Sequence, residues 1–141
     1  MANLIAGCKM IYHGAEPCIP FIDKKEARKR LALPENGRIA LLNGFLTSTK
    51  SWDIVRKMEI PDGWTIVMNH SRFHYSRERI DIKKDYKNNK IISLNKNYMS
   101  DPEFSLLLFA SDIVLLPYKV SSGYDGMFDA LVHGIPLLLP I

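Results

Sequence analysis

Residues 115–139 read LLPYKVSSGYDGMFDALVHGIPLLL, and the reading of this stretch decides the fold. Its apolar start predicts a strand over 113–116 that stops at Pro117. A loop with Lys119, Ser121, Ser122, Gly123 and Tyr124 follows and opens into a helix, on which Met127, Phe128, Leu131 and Val132 form an apolar stripe. Gly134 is placed to end that helix in a left-handed conformation before the next apolar run. The order strand, loop, helix, strand sets the helix N-terminus beside the end of the first strand. Unbonded backbone N–H groups and the positive end of the helix dipole suit an anion at such a point, and Gly123 lets a phosphate come close. Asp129, one turn further in, is then within reach of a sugar hydroxyl.

Outward from this stretch, strands and helices alternate, which is the pattern of a parallel sheet covered on both faces. A lead-in strand is expected around residues 10–12, followed by a loop broken at Pro17 and Pro20. Asp23 caps a short basic helix over 24–31 that ends ahead of Pro34, and Glu35, Asn36 and Gly37 turn the chain into a core strand over 38–42. The loop 43–50, with Gly44 and Lys50, leads to a helix over 51–58 capped by Ser51 or Thr49. Pro61, Asp62 and Gly63 introduce a strand over 64–68. Asn69, His70, Ser71 and Arg72 then read as loop, with His70 structural or solvated and outside the site. A poorly patterned basic helix over 77–86 precedes a strand over 90–94. Ser100, Pro102 and Glu103 mark the start of a helix over 101–111, with Glu103 closing a capping box. That helix is apolar on several sides and is expected to be buried. The fold class is therefore α/β, a Rossmann-like doubly wound parallel sheet.

A chain of 141 residues, 47% of them hydrophobic, supports one core, so a single domain is expected: a lead-in over 1–22 and a Rossmann-like core over 23–141. With 19 Lys and Arg against 15 Asp and Glu, the net charge of +4 suits anionic ligands without choosing among them. The basic clusters at 24–30 and 72–90 read as solvated helix faces, and they lack the interleaved aromatics of a nucleic-acid module. Cys8 and Cys18 give no disulfide framework, and with His13 they lack the fourth partner of a structural zinc site. No metal site is expected. No signal peptide and no run of membrane-spanning length appear, and a cytoplasmic location is expected.

The residues of the opening stretch resemble the nucleotide-sugar half of retaining glycosyltransferases with the GT-B fold, of the group 1 or family 4 type. That family often reads S-G-x-x-x-x-[DE]-A-x-x-x-G-x-P, matched by Ser122, Gly123, Asp129, Ala130, Gly134 and Pro136. The preceding A-x-D-I-V-L-L-P-Y is present from Ala110 to Tyr118. Near the start, His13-Gly14, the R-x-x-L-x-L-P run from Arg28 to Pro34, and Gly44-Phe45 with Lys50 extend the resemblance over roughly the whole chain.

The resemblance implies glycosyl transfer from a UDP- or GDP-sugar to an acceptor, with no cofactor beyond that donor substrate. It implies that Lys50 and the amides at Ser122 and Gly123 receive the diphosphate, with Lys50 the catalytic group that stabilises the leaving charge. Gly44, Ser121 and Tyr124 line the same site, Asp129 holds the ribose, and the segment 95–99 lies along the base. It further implies an N-terminal acceptor-binding domain or subunit as partner, peripheral membrane association of the complete enzyme, and little activity in this domain alone. The chain ends near the strand after Pro136, before the closing elements expected of the family.

Two departures stand out. The basic residue that usually accompanies the lysine falls at Phe45 or Thr47, leaving Arg72 and Lys119 as substitutes, and Ser121 stands where many members carry a glutamate eight residues before Asp129. These departures are what favour the alternative, a noncatalytic Rossmann-like nucleotide-binding or interaction module.

Overall fold

The structure, a computed structural model, describes residues 17, 19–45, 51, 53–71, 88–94, 99–118 and 125–139. Helix α1 (Lys24–Arg30) precedes strand β1 (Arg38–Phe45), helix α2 (Asp53–Lys57), strands β2 (Trp64–Ser71) and β3 (Ile91–Leu94), helix α3 (Asp101–Ala110), strand β4 (Ile113–Leu115), helix α4 (Asp125–Val132) and strand β5 (Leu137–Leu138). The five strands form one parallel sheet in the order β3-β2-β1-β4-β5. This is the doubly wound sheet expected from the alternation of elements.

Strands buried on both faces must be apolar at consecutive positions, and β1 and β2 are. Ile39, Leu41, Val67 and Val114 point to one face, where Ala27 of α1, Leu107 and Leu108 of α3 and Ala130 of α4 complete a core. Ala40, Leu42, Ile66, Met68 and Leu115 point to the other and pack against Val55 of α2.

Local signals set the helix ends. Asp23 accepts from Lys25 N at 3.0 Å, as an N-cap should. Ser100 donates through both its backbone N (3.2 Å) and its Oγ (3.0 Å) to Glu103. Helix α1 closes with Ala32 N on Lys29 O and Leu33 N on Arg28 O, and α4 closes with Gly134 N on Leu131 O and Ile135 N on Ala130 O. Both are the same paired left-handed termination, with Ala32 at φ 53° and Gly134 at φ 69°.

The amino ends of β1 and β4 are clamped by charge. Arg28 is 3% exposed. Its Nε donates to Ala110 O (2.9 Å), its Nη1 to Glu35 O (3.1 Å) and Gly37 O (3.0 Å), and its Nη2 to Asp112 Oδ2 (2.6 Å). Asp112 also accepts from Ile39 N (2.7 Å) and Lys24 Nζ (2.6 Å). Burial pushes the Asp112 carboxyl upward, but the hydrogen bonds from Lys24 and Ile39 and the charges of Lys24 and Arg28 outweigh it and hold the carboxyl below its ordinary value. The expectation of a solvated basic face over 24–30 is thus corrected at Arg28, whose guanidinium is held inside by its bonds to the carbonyls of Glu35, Gly37 and Ala110 and to Asp112.

Several boundaries also differ from the sequence reading. Strands β1 and β2 each run three residues further, to Phe45 and Ser71. On α4 the inward positions are Met127 and Ala130, one helical turn apart, while Leu131 (56% exposed) and Val132 (38%) face outward. The lead-in strand, the helix over 77–86 and the trio Cys8, His13, Cys18 lie outside the described residues. Among the described residues no helix is long and apolar enough to cross a membrane.

Candidate functional site

In the order β3-β2-β1-β4-β5, the chain leaving β1 turns to α2 on one face, and the chain leaving β4 turns to α4 on the other. The carboxyl ends of these adjacent strands thus form the switch point, the place at which doubly wound sheets take their ligands. At that edge stand the end of β1, with Gly44, and the end of β4, followed by Leu116 and Pro117.

Of the residues singled out in the sequence, the structure describes Gly44 and Asp129. Gly44 lies in β1 rather than in a loop, opposite His70 of β2, with φ 139°. That backbone conformation is one side chains rarely adopt, so glycine is required for the strand to continue. Asp129 is half-buried in the second turn of α4, the helix that follows β4. Lys50, Ser121, Ser122, Gly123 and Tyr124 lie outside the described residues, as do Thr47, Arg72, Lys119 and the segment 95–98.

α4 is fixed at its far end by His133. Its Nδ1 lies 2.6 Å from Asp129 O and its Nε2 3.0 Å from Ser105 Oγ on α3, so the imidazole ties the two helices together. The ring also stands edge-on to Phe109, with centroids 4.9 Å apart. With Gly134 ending the helix, this contact fixes the direction in which the α4 N-terminus points.

The sequence reading missed the polar groups at the ends of β1, β2 and β3. Asn69 and His70 are buried rather than in a loop. Asn69 Nδ2 donates to Asn43 Oδ1 at 2.7 Å, and His70 Nε2 lies 2.8 Å from Ser93 Oγ, the tautomer deciding which donates. The available signal was that Asn43 and Asn69 each directly follow an apolar run, Ile39 to Leu42 and Ile66 to Met68. Ser51, read as a helix cap, is instead fully buried at φ 52°, and its Oγ bonds no group among the described residues, while its carbonyl accepts from Ile54 N at 3.0 Å. The positive φ carries the hydroxyl away from the helix amides it would have capped.

No protein-family model matches the chain, and no curated protein matches it by sequence. Solved structures do match. The C-terminal domain of the glycosyl transferase group 1 family protein LpcC from Francisella tularensis superposes with a TM-score of 0.67 at 14% identity, over 89% of this chain and 70% of that one. Anabaena HepE in complex with UDP-glucose gives 0.67 at 18% identity, over 93% of this chain and 38% of that one. Sucrose-phosphate synthase from Thermosynechococcus elongatus gives 0.61 at 13%, over 84% of this chain and 31% of that one. The chain therefore spans about a third of the length of the two larger proteins. Together, the parallel five-stranded sheet, its strand order and these superpositions identify the fold as that of the Rossmann-like C-terminal domain of GT-B glycosyltransferases.

Proposed function

We propose that the chain is the donor-binding domain of a glycosyltransferase that moves a hexosyl group, with retention, from a nucleoside diphosphate sugar to an acceptor held by an N-terminal domain or subunit. One observation supports the reading: β1 and β4 are adjacent parallel strands whose following helices pack on opposite faces, and the helix that follows β4 is α4, which bears Asp129. A protein of the same fold, HepE, is described in complex with UDP-glucose, which supports a nucleotide sugar as the ligand class.

In this reading the diphosphate meets the backbone amides of residues 122 and 123 at the start of α4, where the helix dipole favours negative charge. Lys50 neutralises the leaving group, Gly44, Ser121 and Tyr124 line the pocket, and Asp129 accepts from ribose hydroxyls. Electrostatic stabilisation of this kind lowers the barrier because the charge develops only as the glycosidic bond breaks. The domain by itself would bind donor with little turnover, and a cytoplasmic enzyme with peripheral membrane contact is the setting proposed for the whole.

Titration calorimetry of the folded chain with UDP, GDP and their sugars tests the reading. Heat with one of these nucleotides is the expected result. No heat with any of them would leave a noncatalytic module of the same fold.

A further inference from the structure

In the segment that leads into α1, Ile19 and Ile22 pack against the core, whereas Phe21 between them is 83% exposed. Its ring meets Phe109 edge-on, with centroids 5.5 Å apart, and Phe109 is itself buried. The segment is thus anchored on both sides while the aromatic ring stands proud, given its direction by one buried partner. Phe109 also touches His133, the residue that follows Leu131 and Val132, both of them exposed. The ring leaves most of its apolar surface in water and forgoes what burial would contribute.

Charge frames the ring. Helix α1 begins three residues after Phe21 and carries five cations. Lys24 and Arg28 pair with Asp112, and Arg30 pairs with Glu26. Lys25 and Lys29 are exposed and, among the described residues, meet no carboxylate. Their spacing of four puts both on one side of the helix. With Asp23, Glu26 and Asp112 set against the five cations, the net charge beside Phe21 is +2. All of this lies at the amino rim of the sheet, which α1 reaches through the bonds of Arg28 to Ala110 O and Asp112.

An anionic bilayer answers both features at once. An aromatic ring enters the headgroup layer while ammonium groups on flexible stems stay among the lipid phosphates. A protein partner draws its affinity from clustered apolar side chains seated in pockets, whereas a ring that projects from a single edge contact is a wedge.

We propose that Phe21, Lys25 and Lys29 dock this domain on an anionic lipid bilayer, with the amino rim toward the lipid and the carboxyl ends of β1 and β4 left open. The proposal deepens the peripheral membrane contact of the reading above and rests on that part of it alone, since no nucleotide-binding residue is involved.

The test is co-sedimentation of the folded chain with vesicles of phosphatidylcholine alone and of equimolar phosphatidylcholine and phosphatidylglycerol. The parent is expected on the anionic vesicles only, and less so in added salt. Phe21→Ala is expected to weaken that binding about tenfold. Lys25→Ala combined with Lys29→Ala is expected to weaken it about twentyfold, at a fold checked by circular dichroism. In Phe21→Trp, brominated acyl chains are expected to quench the added indole beyond what they quench in the parent. A parent that ignores anionic vesicles would overturn the proposal, as would binding that survives both sets of alanine substitutions. Equal binding of polyglutamate, insensitive to Phe21→Ala, would also overturn it and mark a surface for acidic polymers instead. Nucleotide calorimetry reports separately on the donor-binding reading, so loss of vesicle binding with nucleotide heat retained removes this proposal alone.

Discussion

Arg28 and Asp112 are 84 positions apart in sequence and meet at 2.6 Å, Nη2 to Oδ2, across the amino ends of β1 and β4. The guanidinium also serves three backbone carbonyls, and the carboxylate takes up the amide of Ile39. Removing the arginine therefore strands a partly buried carboxylate and several carbonyls together. Arg28→Ala is expected to lower unfolding free energy by about 3 kcal/mol or more in a urea titration. Arg28→Lys should recover little of this, since an ammonium cannot span the fork of acceptors. A loss below about 1 kcal/mol for the alanine variant would show the clamp to be dispensable.

Asp112 makes the clamp sensitive to acid. Its folded carboxyl is held below the ordinary value, so the unfolded chain takes up the proton first as pH falls. The stability it contributes is present above the ordinary carboxylate value of about 4 and is lost as pH drops through the lowered folded value. Melting temperatures of the parent and Asp112→Asn should differ at pH 7 and converge below about pH 4. A gap that stays constant across that range would contradict the assignment.

The twin helix terminations differ in their key residue. Ala32 sits at φ 53° where glycine is favoured, so Ala32→Gly should stabilise the protein by roughly 0.5–1 kcal/mol, after the added freedom of the unfolded glycine is offset. Gly134 sits at φ 69° with nothing within 4 Å of an added Cβ, so Gly134→Ala should cost about 1 kcal/mol through the backbone alone. Thermal melts of the two variants should move in opposite directions.

Ser51 combines a left-handed backbone with a buried hydroxyl that bonds no group among the described residues. Ser51→Gly relieves both, and a gain of about 1 kcal/mol in a denaturant titration is expected. A loss of that size would mean that the side chain fills space the fold needs.

Asp112 lies just before β4, at its amino end, and Asp129 lies in the second turn of the helix that follows β4. In calorimetry below the melting point of both variants, Asp129→Ala should weaken nucleotide binding about tenfold and Asp112→Ala much less. Equal affinities would refute a ribose contact at Asp129.

The architecture was legible because its signals are local. Apolar runs marked the core strands, Asp23, Gly134 and the pair Ser100 and Glu103 marked helix ends, and the alternation of elements gave the parallel sheet. What stayed hidden depends on partners distant in sequence. Arg28 looks like one more cation on a basic helix until the carbonyls of residues 35, 37 and 110 surround it. Asn43, Asn69 and His70 look like loop because their hydrogen-bond partners include side chains on neighbouring strands. Of the candidate site, the chain order set the carboxyl ends of β1 and β4 at one edge, where Gly44 lies, and put Asp129 on the helix that follows β4.

The ionic clamp of Arg28, Lys24 and Asp112 stands at the amino ends of the strands, away from the switch point, and under the proposed function this separation bears on how such a domain can diverge. Mechanical coherence and chemical choice are entrusted to different ends of the same strands. Segments at one end can be swapped without unfastening the other, so lineages can acquire new ligands while the scaffold stays superposable at identities as low as 13%.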